Sequence, residues 1–411
     1  MQKYISMNET VIYEKIVKQI AEEICDQAYW YEDRCNWTGI FYNSHIANAE
    51  KILRALPINF YEGSAGIAFF LSASYNYFGL EIFKKTSIGA WQKTKGQFLN
   101  FNKDKIGFHE GLAGIAYGMV QSGKWLNDTQ LVDEGLELIK SLFQNIENAT
   151  FDIMTGCSGY IVSLSAIEKI TKDKSLINLI KQSGNYLLHS GVIFNNQISW
   201  PDKIAGKPQL TGYSLGISGV IHALSEVYYY TKDAETLNSI KMAIEYENSF
   251  LEKKLNNWQD LRLISGKKYI SKKSLYGSIF WCHGAIGISL SRLRSFQITN
   301  DYDSYGDAII GINAINTKKK LETKTHTLCH GVVGDLYAIE SFNKQKNIPL
   351  DFDNFLINNK QITEAVVENK LLDYKDYLLK NPSLFLGKAG IAYYYLSLLD
   401  QKMPNIFVPG L

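Results

Sequence analysis

Seven times along this chain a glycine is followed three residues later by another, and each pair opens a run of small and apolar residues. The pairs are Gly63/Gly66, Gly111/Gly114, Gly156/Gly159, Gly216/Gly219, Gly284/Gly287, Gly331/Gly334 and Gly387/Gly390, which use 14 of the 31 glycines. First glycines stand 48, 45, 60, 68, 47 and 56 residues apart. A recurrence of this length marks a repeat architecture, in which each unit buries its apolar face only by stacking on its neighbours. The pattern reaches from residue 63 to 396 with no linker-like stretch inside it, so residues 1–411 read as one domain.

A second marker fixes the register. Asp128, Asp173, Asp233 and Asp301 each lie 17 residues after the first glycine of their repeat, twice within the same tripeptide, Thr171-Lys172-Asp173 and Thr231-Lys232-Asp233. An aspartate carboxylate accepts bonds from the free N–H groups of a following helix, so these positions read as N-caps. Each repeat is then a helix of about 15 residues, roughly 22 Å long at 1.5 Å per residue, a turn, and a second helix. The first helices, such as GIAFFLSAS and GVIHALS, carry little charge on any face, which suits burial all round. The second, such as LINLIKQSGNYLLHS, interleave lysine and glutamate with apolar positions. Buried and exposed members in seven pairs predict an all-α fold of concentric rings, seven inner helices inside seven outer ones. An open solenoid is the competing arrangement. Ile12, Ile16, Ile20 and Ile24, backed by Val17 and Ala21, predict a further helix near the N-terminus. VIFNNQISW and LRLISGKKYI read as strand-like and predict a small β extension before repeats four and five.

Composition narrows the function. Forty-three basic against 41 acidic residues give a net charge of +2, so no strong field draws in nucleic acid or an anionic surface. No apolar run reaches the roughly 18 residues of a membrane span, and the N-terminus shows no secretory signal. Five cysteines, few and odd in number, predict no disulfide framework and fit a reducing cytoplasm.

Two repeats differ from the rest. Repeat five reads Trp281-Cys282-His283-Gly284 and repeat six Leu328-Cys329-His330-Gly331, with Cys and His in the two positions before the first glycine. Five cysteines and seven histidines in 411 residues give such a pair at one position by chance in roughly two cases in ten thousand. Equal offsets in adjacent repeats put both pairs on one mouth of the ring, at neighbouring helix N-termini, where a thiol ionises more readily. Two thiolates and an imidazole suit a tetrahedral zinc ion. Either two Cys and one His bind and leave a fourth position open for chemistry, or all four residues close a structural site. The blander reading is two buried free thiols beside satisfied histidines. His109, two before Gly111, has the cysteine offset, with Glu110 beside it, but a lone histidine is usually structural. His222, within the fourth inner helix, and Cys157 read as core, and Cys25 and Cys35 have no partner motif.

These motifs resemble the lanthionine synthetase C family of lanthipeptide cyclases. The resemblance covers roughly residues 60–396 and rests on WCHGAIGISLSRLR, CHGVVG, Trp200, Thr211-Gly212 and Asn257-Trp258-Gln259-Asp260. It implies an α/α toroid and zinc held by Cys282, Cys329 and His330. It also implies addition of a precursor-peptide cysteine to dehydroalanine or dehydrobutyrine, closing a lanthionine or methyllanthionine ring. The dehydrated precursor would come from a separate dehydratase, since 411 residues leave no space for a fused one, and the product would pass to a peptide transporter. The expected location is the cytoplasm, with membrane association through a biosynthetic complex. Two positions depart from the family. Leu215 stands where members usually have a histidine before the first glycine of repeat four, and Ser278 where an arginine is frequent. Asp152 does match a family aspartate, and His283 sits where members show Tyr or His. His283 and Asp152 are therefore the catalytic candidates, and they would act together if their loops face each other. The alternatives are a zinc-holding scaffold for the precursor or dehydratase that performs no chemistry, and a relative that adds glutathione to dehydroamino acids. An α/α-toroid glycosidase is more distant, because it would leave the Cys-His pairs unexplained.

Overall fold

In the computed structural model, residues 7–42, 51–201, 209–263, 276–317, 326–345, 363–364 and 381–411 are described. Seven inner helices follow the glycine pairs: Ser64–Phe78, Leu112–Leu126, Cys157–Thr171, Ile217–Thr231, Ala285–Thr299, Val332–Asn343 and Lys388–Leu399. Each packs on the next, and the seventh packs on the first, so the ring is closed rather than an open solenoid. Five outer helices, Glu81–Lys95, Thr129–Ser141, Ser175–His189, Ala234–Asn248 and Tyr302–Thr317, lie against the inner helices of repeats one to five. The sixth outer position falls outside the described residues. The seventh is filled from the other end of the chain: helix Met7–Asp26 packs on Lys388–Leu399, with Tyr13 and Tyr395 ring centroids 5.1 Å apart. Ile16, Val17, Ile20, Ala21 and Ile24 are its buried face, while Ile12 of the expected stripe is exposed.

The inner helices are buried all round, as their composition requires. Several of their serines are satisfied within the helix, Ser72 donating to the carbonyl of Ala68, Ser163 to that of Gly159 and Ser225 to that of Ile221. Small side chains bonded in this way let neighbouring helices approach without leaving an orphan hydroxyl. The expected caps are present. Asp128 accepts from the N–H of Leu131, Asp233 from Thr236 and Asp301 from Ser304, while Asp173 accepts from Ser175 at the start of its helix. Just before each aspartate, Asn127, Lys172, Lys232 and Asn300 take left-handed backbone and end the inner helix, so the turn between the helices has one repeated geometry.

The second glycine of each pair explains the motif. A Cβ at Gly287 would lie 1.9 Å from the carbonyl oxygen of Trp281, and one at Gly334 the same distance from that of Leu328. The approach segment is thus folded tightly under the first turn of its helix, and the residues just before the first glycine stand at the mouth of the ring. Among the described residues four two-stranded antiparallel hairpins decorate the toroid: 29–31 with 34–36, 38–42 with 51–55, 192–194 with 197–199, and 251–252 with 257–258. The third matches the expected VIFNNQISW patch. The other expected patch is corrected: Leu261–Leu263 is a 3-10 turn, and residues 264–270 lie outside the described residues. The first two hairpins had no signal in the sequence pattern.

Candidate functional site

Two positions before each first glycine the seven repeats place Tyr61, His109, Met154, Ser214, Cys282, Cys329 and Phe385 around the mouth. Their backbones are stitched from repeat to repeat. Cys329 N–H donates to the carbonyl of Phe385, Phe385 to Tyr61, Tyr61 to His109, Glu110 to Met154 and Ser214 to Cys282, all within 3.1 Å. These bonds hold the side chains in register around the ring. Beneath them Trp281 fills the centre, stacked 4.9 Å from Phe407 and in contact with Phe385 and His109.

On this frame Cys282, Cys329 and His330 converge. Cys282 Sγ lies 3.3 Å from His330 Nε2, Cys329 Sγ lies 3.6 Å from the same nitrogen, and the three donor atoms fall within 4.8 Å of one another. The spacing matches the edges of a zinc tetrahedron, whose bonds run about 2.0–2.3 Å to nitrogen and sulfur. Both thiols are buried, and the Phe280 ring packs edge-on against His330 at 5.6 Å. The donor set is already polarised. A hydrogen bond from Cys329 and then the His330 ring hold the Cys282 thiol well below the ordinary range, despite its burial. Burial, and then bonding to Cys282 and its charge, push Cys329 up. Burial opposes protonation of His330, but bonding to Cys282 raises it overall. The Tyr61 ring stacks 5.0 Å from Phe385, whose backbone joins Tyr61 to Cys329.

His283 lies outside this trio. Its Nε2 lies 3.1 Å from Ser214 Oγ, Nδ1 has no protein partner, and burial lowers it to about 4, so its ring is neutral near pH 7. Gly284 beside it has a φ of +109°, whereas the first glycines of the other repeats are extended. This change of backbone direction sits between His283 and the helix start. Asp152 is tied into its own loop, accepting from the hydroxyl of Thr150 at 2.5 Å and the N–H of Thr155 at 2.8 Å. It makes no hydrogen bond to His283, and the carboxylate whose charge acts on that ring is Asp260.

Leu215 is 42% exposed on the rim, and Ser278 is bonded to Asp260 Oδ2 at 2.8 Å. His109, despite its cysteine-like offset, is fully buried among Phe108, Trp281 and Phe385. Burial lowers it to about 3. His222 is core, bonded to the Tyr213 hydroxyl at 2.9 Å. Three residues at the mouth escaped the sequence reading: Tyr61, Ser214 and Arg262. Tyr61 and Ser214 could have been found by extending the cysteine offset to every repeat. Arg262 carries no such mark, and Asp260 stood in a quoted motif without a role.

A family profile described as lanthionine synthetase C-like protein matches residues 54–410. A lacticin 481/lactococcin biosynthesis protein of Lactococcus lactis subsp. lactis is 24% identical over 340 residues, 80% of this chain and 34% of the relative. The chain therefore spans about a third of the length of that curated relative. The solved structure of a nisin cyclase superposes with a TM-score of 0.66 at 18% identity, over 98% of this chain and 96% of that one, which shows a shared fold.

Proposed function

The chain belongs to the lanthionine synthetase C-like family, and from that premise we propose that it closes thioether rings in a dehydrated precursor peptide. The observation that carries this reading is the convergence of Cys282, Cys329 and His330 at one mouth, three protein donors where a zinc ion takes four ligands. A zinc ion bound there supplies positive charge that keeps a peptide cysteine as thiolate near neutral pH.

The chain's own residues have distinct parts in the reaction. Tyr61 steadies Cys329 through the backbone, its carbonyl accepting from Phe385, whose own carbonyl accepts from the N–H of Cys329. His283, neutral at rest and held by Ser214, takes the thiol proton and returns it to the α-carbon after sulfur has added to the β-carbon. No atom is gained or lost: the S–H bond is added across the C=C bond. Asp152 fixes the repeat-three loop by accepting from the N–H of Thr155. The peptide's supplier would be a separate dehydratase, and a transporter would export the product from the cytoplasm. Among the described residues no helix is long and apolar enough to cross a membrane.

A second reading, a metal-holding scaffold without chemistry, draws on Leu215, an apolar side chain exposed on the rim beside the site. Mass spectrometry separates the two. A dehydrated partner peptide incubated with the zinc-loaded protein and then alkylated should lose one alkylatable thiol per ring at unchanged mass. A scaffold would leave every thiol open to alkylation.

A further inference from the structure

The proposed reaction brings negative charge to the mouth twice. Substrate sulfur arrives as an anion, and addition to the β-carbon moves the π electrons onto the neighbouring carbonyl oxygen as an enolate. Two thiolates and a divalent cation already cancel one another, so each of these anions is left uncompensated by the ligand set. A fixed positive group at the mouth would stabilise both.

Such a group stands on the loop before repeat five. Arg262, in the 3-10 turn Leu261–Leu263, is gripped by Asp260 through Nε to Oδ1 at 2.9 Å and Nη2 to Oδ2 at 2.6 Å. Asp260 Oδ2 also accepts from Ser278 Oγ, four residues before Cys282. Two further ties hold this loop to the site. Asn257 Nδ2 donates to the carbonyls of Tyr276 and Ser278 at 2.8 and 2.9 Å, and Thr211 Oγ1 donates to the carbonyl of Gln259 at 2.5 Å. The Asp260 side chain is nearly buried, 6% exposed, while the Arg262 side chain is 41% exposed, so the anchor is inside and the cation's side chain reaches water. Burial of Arg262 works against its charge, but Asp260, and then Cys282 and Cys329, outweigh it. The guanidinium in turn bears on Cys329, His283 and His330.

We propose that Arg262, clamped through Asp260 to Ser278, is the cation that binds the anions of this mouth, first the substrate's sulfur and then the enolate oxygen. Asp260 is its positioning residue. The proposal rests on the thiol-addition reading above. No oxidant or further reactant is involved: the thiol proton leaves to His283 or solvent, the C–S bond forms as the C=C π bond breaks, and the proton returns to carbon.

The test uses the full chain loaded with cobalt(II), whose absorption reports each added thiolate, and 2-mercaptoethanol, an uncharged thiol that becomes an anion only on binding. Arg262→Ala should keep its cobalt and bind this thiol roughly tenfold more weakly, the effect of one partly screened charge. Thiol affinity of the parent should fall with added salt, while that of the variant should change little. Arg262→Lys should recover part of the affinity. Ser278→Arg placed in the Arg262→Ala background should recover it too, because Ser278 already touches the carboxylate that holds Arg262. Arg262→Ala binding the thiol as tightly as the parent, with full cobalt, overturns the proposal. If that variant loses cobalt, Arg262→Gln carries the same comparison, and unchanged thiol affinity there is equally decisive. A parent that holds no cobalt, or holds it without binding thiol, contradicts the thiol-addition reading instead.

Discussion

Repeats one and two carry Tyr61 and His109 at the offset where repeats five and six carry Cys282 and Cys329, and the same backbone stitching holds all four. Their surroundings differ. His109 is walled in by three aromatic rings, neither ring nitrogen has a protein partner, and burial keeps it neutral down to about pH 3. His330, one position along in repeat six, is only partly buried and lies between two sulfurs, where bonding to Cys282 favours its charged form. The toroid therefore fixes where a side chain stands, and its neighbours decide whether it is structural or a ligand. The offset alone does not make a site.

This contrast has measurable consequences. The largest concerns the ligands: Cys329→Ala should reduce ring closure, followed by thiol alkylation and mass spectrometry, to the uncatalysed level, whereas His109→Leu should leave the rate near that of the parent. His283→Phe should slow ring closure by about 10²–10⁴-fold with metal retained, the usual range for a proton-transferring group. An unchanged rate would transfer the proton step to water or Asp152.

Gly284→Ala should cost on the order of 1–3 kcal/mol, seen as a lower midpoint in denaturant, because its φ of +109° strains any residue with a Cβ. That Cβ would also lie 1.8 Å from the carbonyl oxygen of Ser278. The smallest effect is at His109. A buried base whose folded pKa is lowered stabilises the protein fully above its unfolded value near 6.5, and that contribution is lost as pH falls from there toward about 3. His109→Leu should therefore flatten the acid limb of stability between those values and change stability at pH 7 by no more than about 2 kcal/mol. An acid limb as steep as the parent's would assign the loss to other groups.

Much of the architecture could be read from the chain because its causes are local. The glycine pair marks a helix start pressed against its own approach segment, as at Gly334, and each aspartate caps a helix within three residues of itself. The candidate metal donors were visible because two adjacent repeats share one unusual pair. Other features depend on residues far apart in sequence. Nothing in the stripe from Ile16 to Ile24 shows that this helix closes the ring against Lys388–Leu399. Likewise, nothing in Ser278 shows that it meets Asp260, or in Ser214 that it meets His283. The conditional pairing of Asp152 with His283 relied on sequence position alone, and the structure binds Asp152 to Thr150 and Thr155 instead.

Zinc content across a small set of folded variants tests most directly whether repeats five and six form an open metal site. The parent, His109→Leu and His283→Phe should each hold about one zinc per chain by elemental analysis, while Cys282→Ala and Cys329→Ala should hold none. Full zinc in either cysteine variant would remove that residue from the ligand set. Zinc lost from His283→Phe would mean a closed four-ligand site with no place for substrate sulfur, and would contradict the account.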